Sequence, residues 1–311
     1  MLRRDLRVEW FVSFLAVVDT GGFSAAAEVL HRSQSRVSTY VAALEREVGL
    51  PLFDRSTRPV RVTEAGQALA AHARAVLREL DLADAAMAAH RHGERGLVTI
   101  GSFPSPSAAF VPALIERISS ASPGIEIVLV ERSTLELDQA FAAGELDLYL
   151  RSTVPAPEPV PSGSRFLWSE PLVVAHPPEH PLAALPEPLS ATAVAEYPVL
   201  VIGRKDTKEC GVEASALFAA HGLDLTPVQA ATQPQTLLAM VRAGLGVGVL
   251  NALAATICNT EGLSVRTLDT TEHRRRVAVY WDAERPMSPA ARTVLAAVIA
   301  AKPPEGCDPA P

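Results

Sequence analysis

Apolar residues recur at helical spacing from the start of the chain. Val8, Phe11, Leu15 and Val18 mark one helix, and Gly21-Gly22 supply the left-handed stop that ends it. Ser24 suits the N-cap of a short second helix through Ala25, Ala26, Val29 and Leu30, broken around His31-Arg32. Ser33 then caps a third helix, in which Val37, Val41, Leu44 and Val48 share one face and leave Gln34, Arg36, Thr39 and Tyr40 pointing away. Gly49 ends this helix and Pro51 prevents its resumption. Two helices joined by a tight turn, with a polar outer face on the second, form the helix-turn-helix pattern. From Leu52 to Val62, Val60 and Val62 alternate with Arg61 as in a hairpin strand. Such a wing sets Arg55 and Arg58 beside the third helix, within reach of phosphates or a minor groove.

Thr63 can cap a long helix running to about Arg91. Along it Leu69, Ala73, Val76, Leu80, Ala83 and Met87 follow a four-three spacing, a heptad seam. A helix of that length spans roughly 40 Å at about 1.5 Å per residue, and its narrow apolar stripe calls for a partner helix, which predicts dimerisation. Beyond Gly93 and Gly96 the period changes. Strands are expected at 97–101, 125–130 and 146–150, alternating with helices at 108–119 and 135–143, a pattern that implies a parallel sheet with helical crossovers. The Pro-rich stretch 154–161 interrupts it. A second set of βα elements follows, from a strand beginning at Pro171, through Pro198 to Ile202 and a helix around 213–221, to the segment 236–249. A final strand at 276–280 and a helix at 288–301 close the fold, and the Pro-rich tail 303–311 reads as disordered. The fold class is therefore α/β behind a helical head.

The net charge of the 311-residue chain is −7, yet up to residue 62 nine basic residues face seven acidic ones. The head carries a surplus of two positive charges and the remainder −9, so DNA can be held at one end and repelled elsewhere. Cys210, Cys258 and Cys307 are too few and too scattered for a disulfide framework, and none has metal-ligand spacing, so no metal and no cofactor is expected. Glu9 and Asp19 spoil an apparent signal peptide, and no run of about 18 apolar residues is present. A cytoplasmic protein without a membrane partner is expected.

Catalytic constellations are weak. Gly244-Leu245-Gly246-Val247-Gly248 follows a helix and leads into a strand, the reverse of a phosphate-binding loop. Two prolines separate His176 from His180, which denies them a shared helical face. Cys210 has no histidine near it in sequence. No enzyme is expected, with no catalytic residue to name.

The chain resembles the LysR-type transcriptional regulators over nearly its whole length. The most specific residues are Phe23-Ser24-Ala25-Ala26-Ala27, Ser33-Gln34-Ser35, Leu44-Glu45, Gly49-Leu50-Pro51-Leu52-Phe53, Arg55 and Thr63-Glu64-Ala65-Gly66. Weaker echoes are Gly144-Glu145-Leu146-Asp147, His180-Pro181-Leu182, Val241 to Val249 and Ser288-Pro289-Ala290-Ala291. The resemblance implies a winged helix-turn-helix DNA-binding domain at 1–62, a linker and dimerisation helix at 63–92, and an effector-binding domain at 93–302. That last domain would comprise two subdomains resembling periplasmic binding proteins, 97–166 plus 269–302 and 167–268, with a cleft for a small effector between them.

Residue by residue, the resemblance carries DNA-reading roles to Ser33, Gln34, Ser35, Ser38 and Arg55. The exposed face adds Arg36 and Thr39, and the wing adds Arg58. Gln34 suits an adenine edge, while serine hydroxyls and helix-start amides suit phosphates. The chain departs from the family pattern at Arg36, Thr39 and Tyr40, which leaves the operator sequence open.

For the cleft, Ser102 and Ser105 lie between the first strand and a helix, where they could hold a carboxylate, with Ser107 as the cap. Arg151 and Arg204 stand at strand ends suited to an anionic effector, and Thr232 lies in the matching loop. The expected partners are promoter DNA, a small-molecule effector, a second copy of the chain in a homodimer or homotetramer, and RNA polymerase. A regulator that senses no ligand is the alternative, and an enzyme or solute-binding protein using the α/β body a more distant one.

Overall fold

The computed structural model describes residues 6–54, 56, 60–92, 95–205, 207–270 and 273–310. The chain divides into two compact units, the first essentially residues up to 91 and the second the remainder.

The first unit begins with α1 (Val8–Thr20), α2 (Phe23–Val29) and α3 (Gln34–Val48). Gly21, in the left-handed region, closes α1 with its N–H on the Val17 carbonyl. Helix α2 starts two residues earlier than the Ser24 cap implies, with Gly22 at the N-cap. Ser33 caps α3, its Oγ accepting from the Arg36 N–H at 3.3 Å. Phe14, Val37, Val41, Leu44 and Leu52 are buried at the centre of the unit, as the helical spacing of α3 requires. A hairpin follows, β1 (Phe53–Asp54) pairing antiparallel with β2 (Arg61–Val62).

The linker helix α4 (Glu64–His92) is capped by Thr63, whose Oγ accepts from the Gly66 N–H at 3.0 Å. Gly66 is required where α4 meets the hairpin, because a Cβ there would stand 2.3 Å from the Leu52 carbonyl oxygen. Ala70 and Ala73 of α4 are buried in this core, so the first part of the heptad seam packs within its own domain. Among the described residues no single helix is long and apolar enough to cross a membrane.

The second unit opens with β3 (Gly96–Ser102), α5 (Pro104–Ala109), α6 (Val111–Ala121), β4 (Ile125–Glu131), α7 (Thr134–Ala142) and β5 (Leu148–Ser152). The single helix expected at 108–119 is two, since Pro112 in the first turn of α6 cannot donate back to α5. Next come β6 (Gly163–Glu170), β7 (Leu172–His176), α8 (Ala191–Ala195), β8 (Val199–Ile202), α9 (Val212–Ala220), β9 (Gln229–Ala231) and α10 (Pro234–Arg242). The chain ends with β10 (Val247–Asn251), α11 (Ala252–Thr256), β11 (Ser264–Thr267), β12 (Arg275–Trp281), α12 (Pro289–Ala300) and β13 (Asp308–Pro309).

Two sheets result, ordered β13-β6-β12-β5-β3-β4 and β11-β7-β10-β8-β9. Both are mixed rather than parallel: β3 runs parallel to β4 and β5, whereas β12 runs antiparallel to β5 and β6. Val98, Ile100, Leu148, Trp168 and Val277 pack under α6 and α12 in the first subdomain. In the second, Val199, Val201, Val247 and Val249 pack on Leu217 and Phe218 of α9, while Leu237, Leu238 and Val241 of α10 cover Leu200 on the other face.

Two boundaries differ from those expected. The chain crosses to the second sheet at Pro171, not near Phe166, because Trp168 is buried in the first core and β6 stays paired with β12 up to Glu170 opposite Arg275. The tail is also ordered: Asp308 and Pro309 form an edge strand on Ser169 and Trp168, and Asp308 ion-pairs with Arg274. Proline is tolerated at a sheet edge, where its missing donor breaks no ladder.

Candidate DNA-reading helix and effector cleft

The first three residues of α3 and its cap form a polar, exposed start to the helix. Ser33, Gln34, Ser35 and Arg36 are exposed, as is Thr39 a turn later, and Ser38 is half-buried. Ser33 and Ser35 lie 3.1 Å apart through their hydroxyls, and Thr39 Oγ donates to the Ser35 carbonyl at 2.8 Å. Arg36 is not loose: its Nε donates to the Tyr40 hydroxyl at 2.9 Å. The guanidinium groups of Arg36 and Arg32 lie 5.5 and 5.7 Å from the Tyr40 ring centre. Sequence reading singled out Arg36 but not the roles of Arg32 and Tyr40. The signal was the i, i+4 spacing of Arg36 and Tyr40, which makes them neighbours on one face. Arg55 and Arg58 lie outside the described residues.

Farther along α4, Val76, Leu80 and Met87 are 44%, 45% and 53% exposed, and Ala83 is exposed too. Leu69 is half-buried and Ala73 buried against the helix-turn-helix core. The seam thus divides: its start is intramolecular and its continuation presents an apolar stripe.

In the second unit a cavity of about 100 Å³ lies between the two subdomains. Phe103, Ser133 and Thr134 line it from the first sheet's side, Glu209, Glu213 and Thr232 from the second, with Arg275 at the base of the returning strand. Gly203 forms part of the wall with φ at +136°, and a Cβ there would strike the Glu209 carbonyl oxygen at 2.3 Å. Only glycine lets the segment bearing Glu209 fold back this closely.

Arg275 is the centre of the charged groups. Its guanidinium sits 4.1 Å from the Phe103 ring centre, 3.5 Å from Glu213 Oε1 and 4.0 Å from Glu170 Oε1. Ser152 donates to Glu213 at 2.8 Å. Behind them Glu170 is wholly buried, accepting from the Leu253 N–H at 2.7 Å and from Asn251 Nδ2 at 3.1 Å. Burial raises its pKa, against the opposing pull of Arg275 and these donors.

Of the residues expected to hold an effector, the structure brings only Thr232 to the cavity wall. Ser105 lies just beneath, 3.4 Å from Asn251 Nδ2 and 3.5 Å from Arg275 Nη1. Ser102 is buried, its hydroxyl turned onto the Phe103 carbonyl, and Ser107 is buried inside α5 rather than capping it, a place taken by Phe103. Arg151 corrects the expectation most sharply. It is fully buried, ion-paired with Asp138 at 2.9 Å, and donates to the Pro155 carbonyl, so its charge is neutralised inside the first core. Arg204 is 56% exposed and pairs with Glu136 at 3.3 Å. Arg275, Glu209 and Glu213 were missed; Arg275 opens β12, whose residues Val277 to Tyr280 are buried on both faces, so strand alternation does not single it out.

Comparison with known proteins places both halves. Residues 8–67 match the model of the bacterial regulatory helix-turn-helix protein, lysR family, and residues 91–302 match that of the LysR substrate binding domain. The HTH-type transcriptional regulator IlvR of Caulobacter vibrioides is 31% identical over 79% of this chain and 82% of its own length. The nitrogen assimilation regulatory protein nac of Klebsiella aerogenes is 30% identical over 90% of each. Among solved structures, full-length OxyR from Pseudomonas aeruginosa aligns with a TM-score of 0.70 at 25% identity, covering 94% of this chain and 97% of that one. The LysR-family regulator CbnR in complex with its target DNA aligns at 0.68, covering 94% and 97%, at 20% identity, which speaks for the fold alone. With a helix-turn-helix match over residues 8–67 and a substrate binding domain match over 91–302, the chain belongs to the LysR family of DNA-binding transcriptional regulators.

Proposed function

We propose that this regulator works as a homo-oligomer, two copies joined through α4 so that paired α3 helices read an interrupted palindrome, with a small effector in the inter-subdomain cleft as its switch. The observation that carries the reading is the division of the α4 seam, with Val76, Leu80, Ala83 and Met87 exposed in a line beyond the buried Ala73. Such a stripe wants a partner helix, and two-fold protein symmetry matches a two-fold site. Ser33, Gln34, Ser35, Ser38, Arg36 and Thr39 are the proposed DNA contacts from α3, with Arg55 and Arg58 from the wing. RNA polymerase is the proposed downstream partner and the cytoplasm the proposed compartment. No catalytic role is assigned.

The charges of the cleft alter the expected effector. Arg275, not Arg151 or Arg204, is the cation on the wall, and Glu209 and Glu213 share that wall. We propose a small metabolite that gives an acceptor group to Arg275 and a donor group to the carboxylates, with Ser133, Thr134 and Thr232 adding hydroxyls. At about 100 Å³ the cavity is smaller than the roughly 150 Å³ that holds a benzene-sized guest, which favours a compact ligand.

Thermal-shift screening across metabolite classes tests the switch. A compound at a hundredfold excess over its dissociation constant adds about 2.7 kcal/mol of stability. That gain should disappear in Arg275→Met while the variant still melts cooperatively. No response in any class favours a regulator without a ligand.

A further inference from the structure

We propose that Arg36 reads a guanine in the major groove and that Tyr40 is the residue that positions it for this. Arg36 is the third residue of α3, in the first turn, the part of a recognition helix that meets base edges. Its side chain is exposed, and an unrestrained exposed arginine loses much rotamer freedom on docking. Here one turn of helix brings the Tyr40 hydroxyl to 2.9 Å from Nε, and the ring lies 5.5 Å from the guanidinium carbon. Arg32 approaches the same ring from the turn before α3, at 5.7 Å.

The choice of Nε is informative. Of the five guanidinium donors, Tyr40 engages the one nearest the stem, and the two terminal nitrogens keep their parallel outward N–H groups. That fork matches the two acceptors, O6 and N7, that guanine presents in the major groove. Adenine and cytosine each present an amino donor there, which opposes one tooth of the fork. The phenol, having accepted from Nε, retains its own hydrogen for a phosphate oxygen. Gln34, two residues earlier, suits an adenine, so the helix start would read a guanine and an adenine within one half-site.

The inference rests on α3 being the reading helix, and the test separates the two. Full-length wild type, Gln34→Ala, Arg36→Ala and Tyr40→Phe are each used to select duplexes from a randomised pool. A guanine fixed by wild type in each half-site should become degenerate with Arg36→Ala and partly so with Tyr40→Phe, the other positions holding. Replacing that guanine by 7-deazaguanine, which lacks the N7 acceptor, should weaken wild type within the 5- to 150-fold that such a pair discriminates. Inosine, which keeps O6 and N7, should not. The 7-deazaguanine penalty should shrink in Tyr40→Phe, which keeps the ring and loses only the hydroxyl.

An Arg36→Ala protein that still selects the same guanine overturns the proposal. A Tyr40→Phe protein with the full wild-type penalty removes the positioning role. If Gln34→Ala changes the selected site and Arg36→Ala does not, α3 remains the reader and this assignment alone fails. If neither changes it, both fail.

Discussion

Arg151 and Asp138 form an ion pair at 2.9 Å in which both side chains are almost wholly buried, 0% and 3% exposed. Tyr149 donates a further hydrogen bond to the same carboxylate at 2.9 Å. Burial raises the Asp138 pKa, and Arg151 is the largest influence holding it down. Removing the arginine alone leaves a carboxylate in the first core without its counter-charge. Arg151→Met should therefore lose about 3–5 kcal/mol in urea unfolding, and adding Asp138→Leu should restore roughly half. A loss under about 1 kcal/mol for Arg151→Met would mean that Arg151 is not a structural cation.

Glu170 supplies a pH signature. Its carboxyl holds a proton to higher pH in the folded chain than the ordinary value of 4.5, because burial disfavours the ion and Glu213 adds repulsion, with Arg275 opposing both. A raised carboxyl pKa means that the native state binds more protons than the unfolded one. The stability from this group is present below the ordinary value and is lost as pH rises through the raised one. Glu170→Gln removes that dependence. The unfolding free energy of the variant minus that of wild type should therefore grow as pH climbs from about 4.5, and a difference that shrinks over this range would contradict the assignment.

Cys307 tests the ordered tail. Burial first, then the neighbouring Glu170 and Asp308 carboxylates, push its thiol up to about 12. A thiolate so rare at pH 8 should react with iodoacetamide about 10- to 100-fold more slowly in the native protein than in urea, even after allowing for the greater nucleophilicity of a basic thiol. Mass-spectrometric labelling at the ordinary rate would show that Asp308 and Pro309 do not hold their place on β6.

The exposed stripe of α4 predicts an assembly defect. A charge at Leu80 or Met87, 45% and 53% exposed in the single chain, leaves the buried core of the helix-turn-helix unit intact. Leu80→Asp with Met87→Asp should shift the protein to monomer at micromolar concentration by light scattering, with its melting otherwise cooperative. A wild type that is already monomeric there would refute pairing through this seam.

What the sequence made legible was local. The face of α3, its Ser33 cap and its Gly49 stop follow from spacings of a few residues, and the structure repeats them. The cleft depended on register between distant strands. Glu170 meets Arg275 across the β6–β12 ladder, a pairing that no local pattern encodes. Arg151 looked available because strand ends often carry ligands, yet its partner Asp138 arrives from a helix. The prolines of the tail signalled disorder, and an available sheet edge on β6 outweighed that signal. Along β12 the run Val277 to Tyr280 is buried on both faces, so strand alternation offered no inward side on which to place Arg275.

In the proposed dimer α3 reads DNA as one of a symmetric pair. The most direct test is footprinting of the full-length protein and of Gln34→Ala on promoter DNA, with affinities for the protected site and a scrambled duplex measured at one salt concentration. Two symmetry-related protected half-sites on the same face of the helix are expected. Gln34→Ala should lose about 1–3 kcal/mol of discrimination between the two duplexes while its affinity for the scrambled one is unchanged. Equal discrimination by wild type and Gln34→Ala, or protection of a single unpaired site, would contradict reading by a symmetric pair.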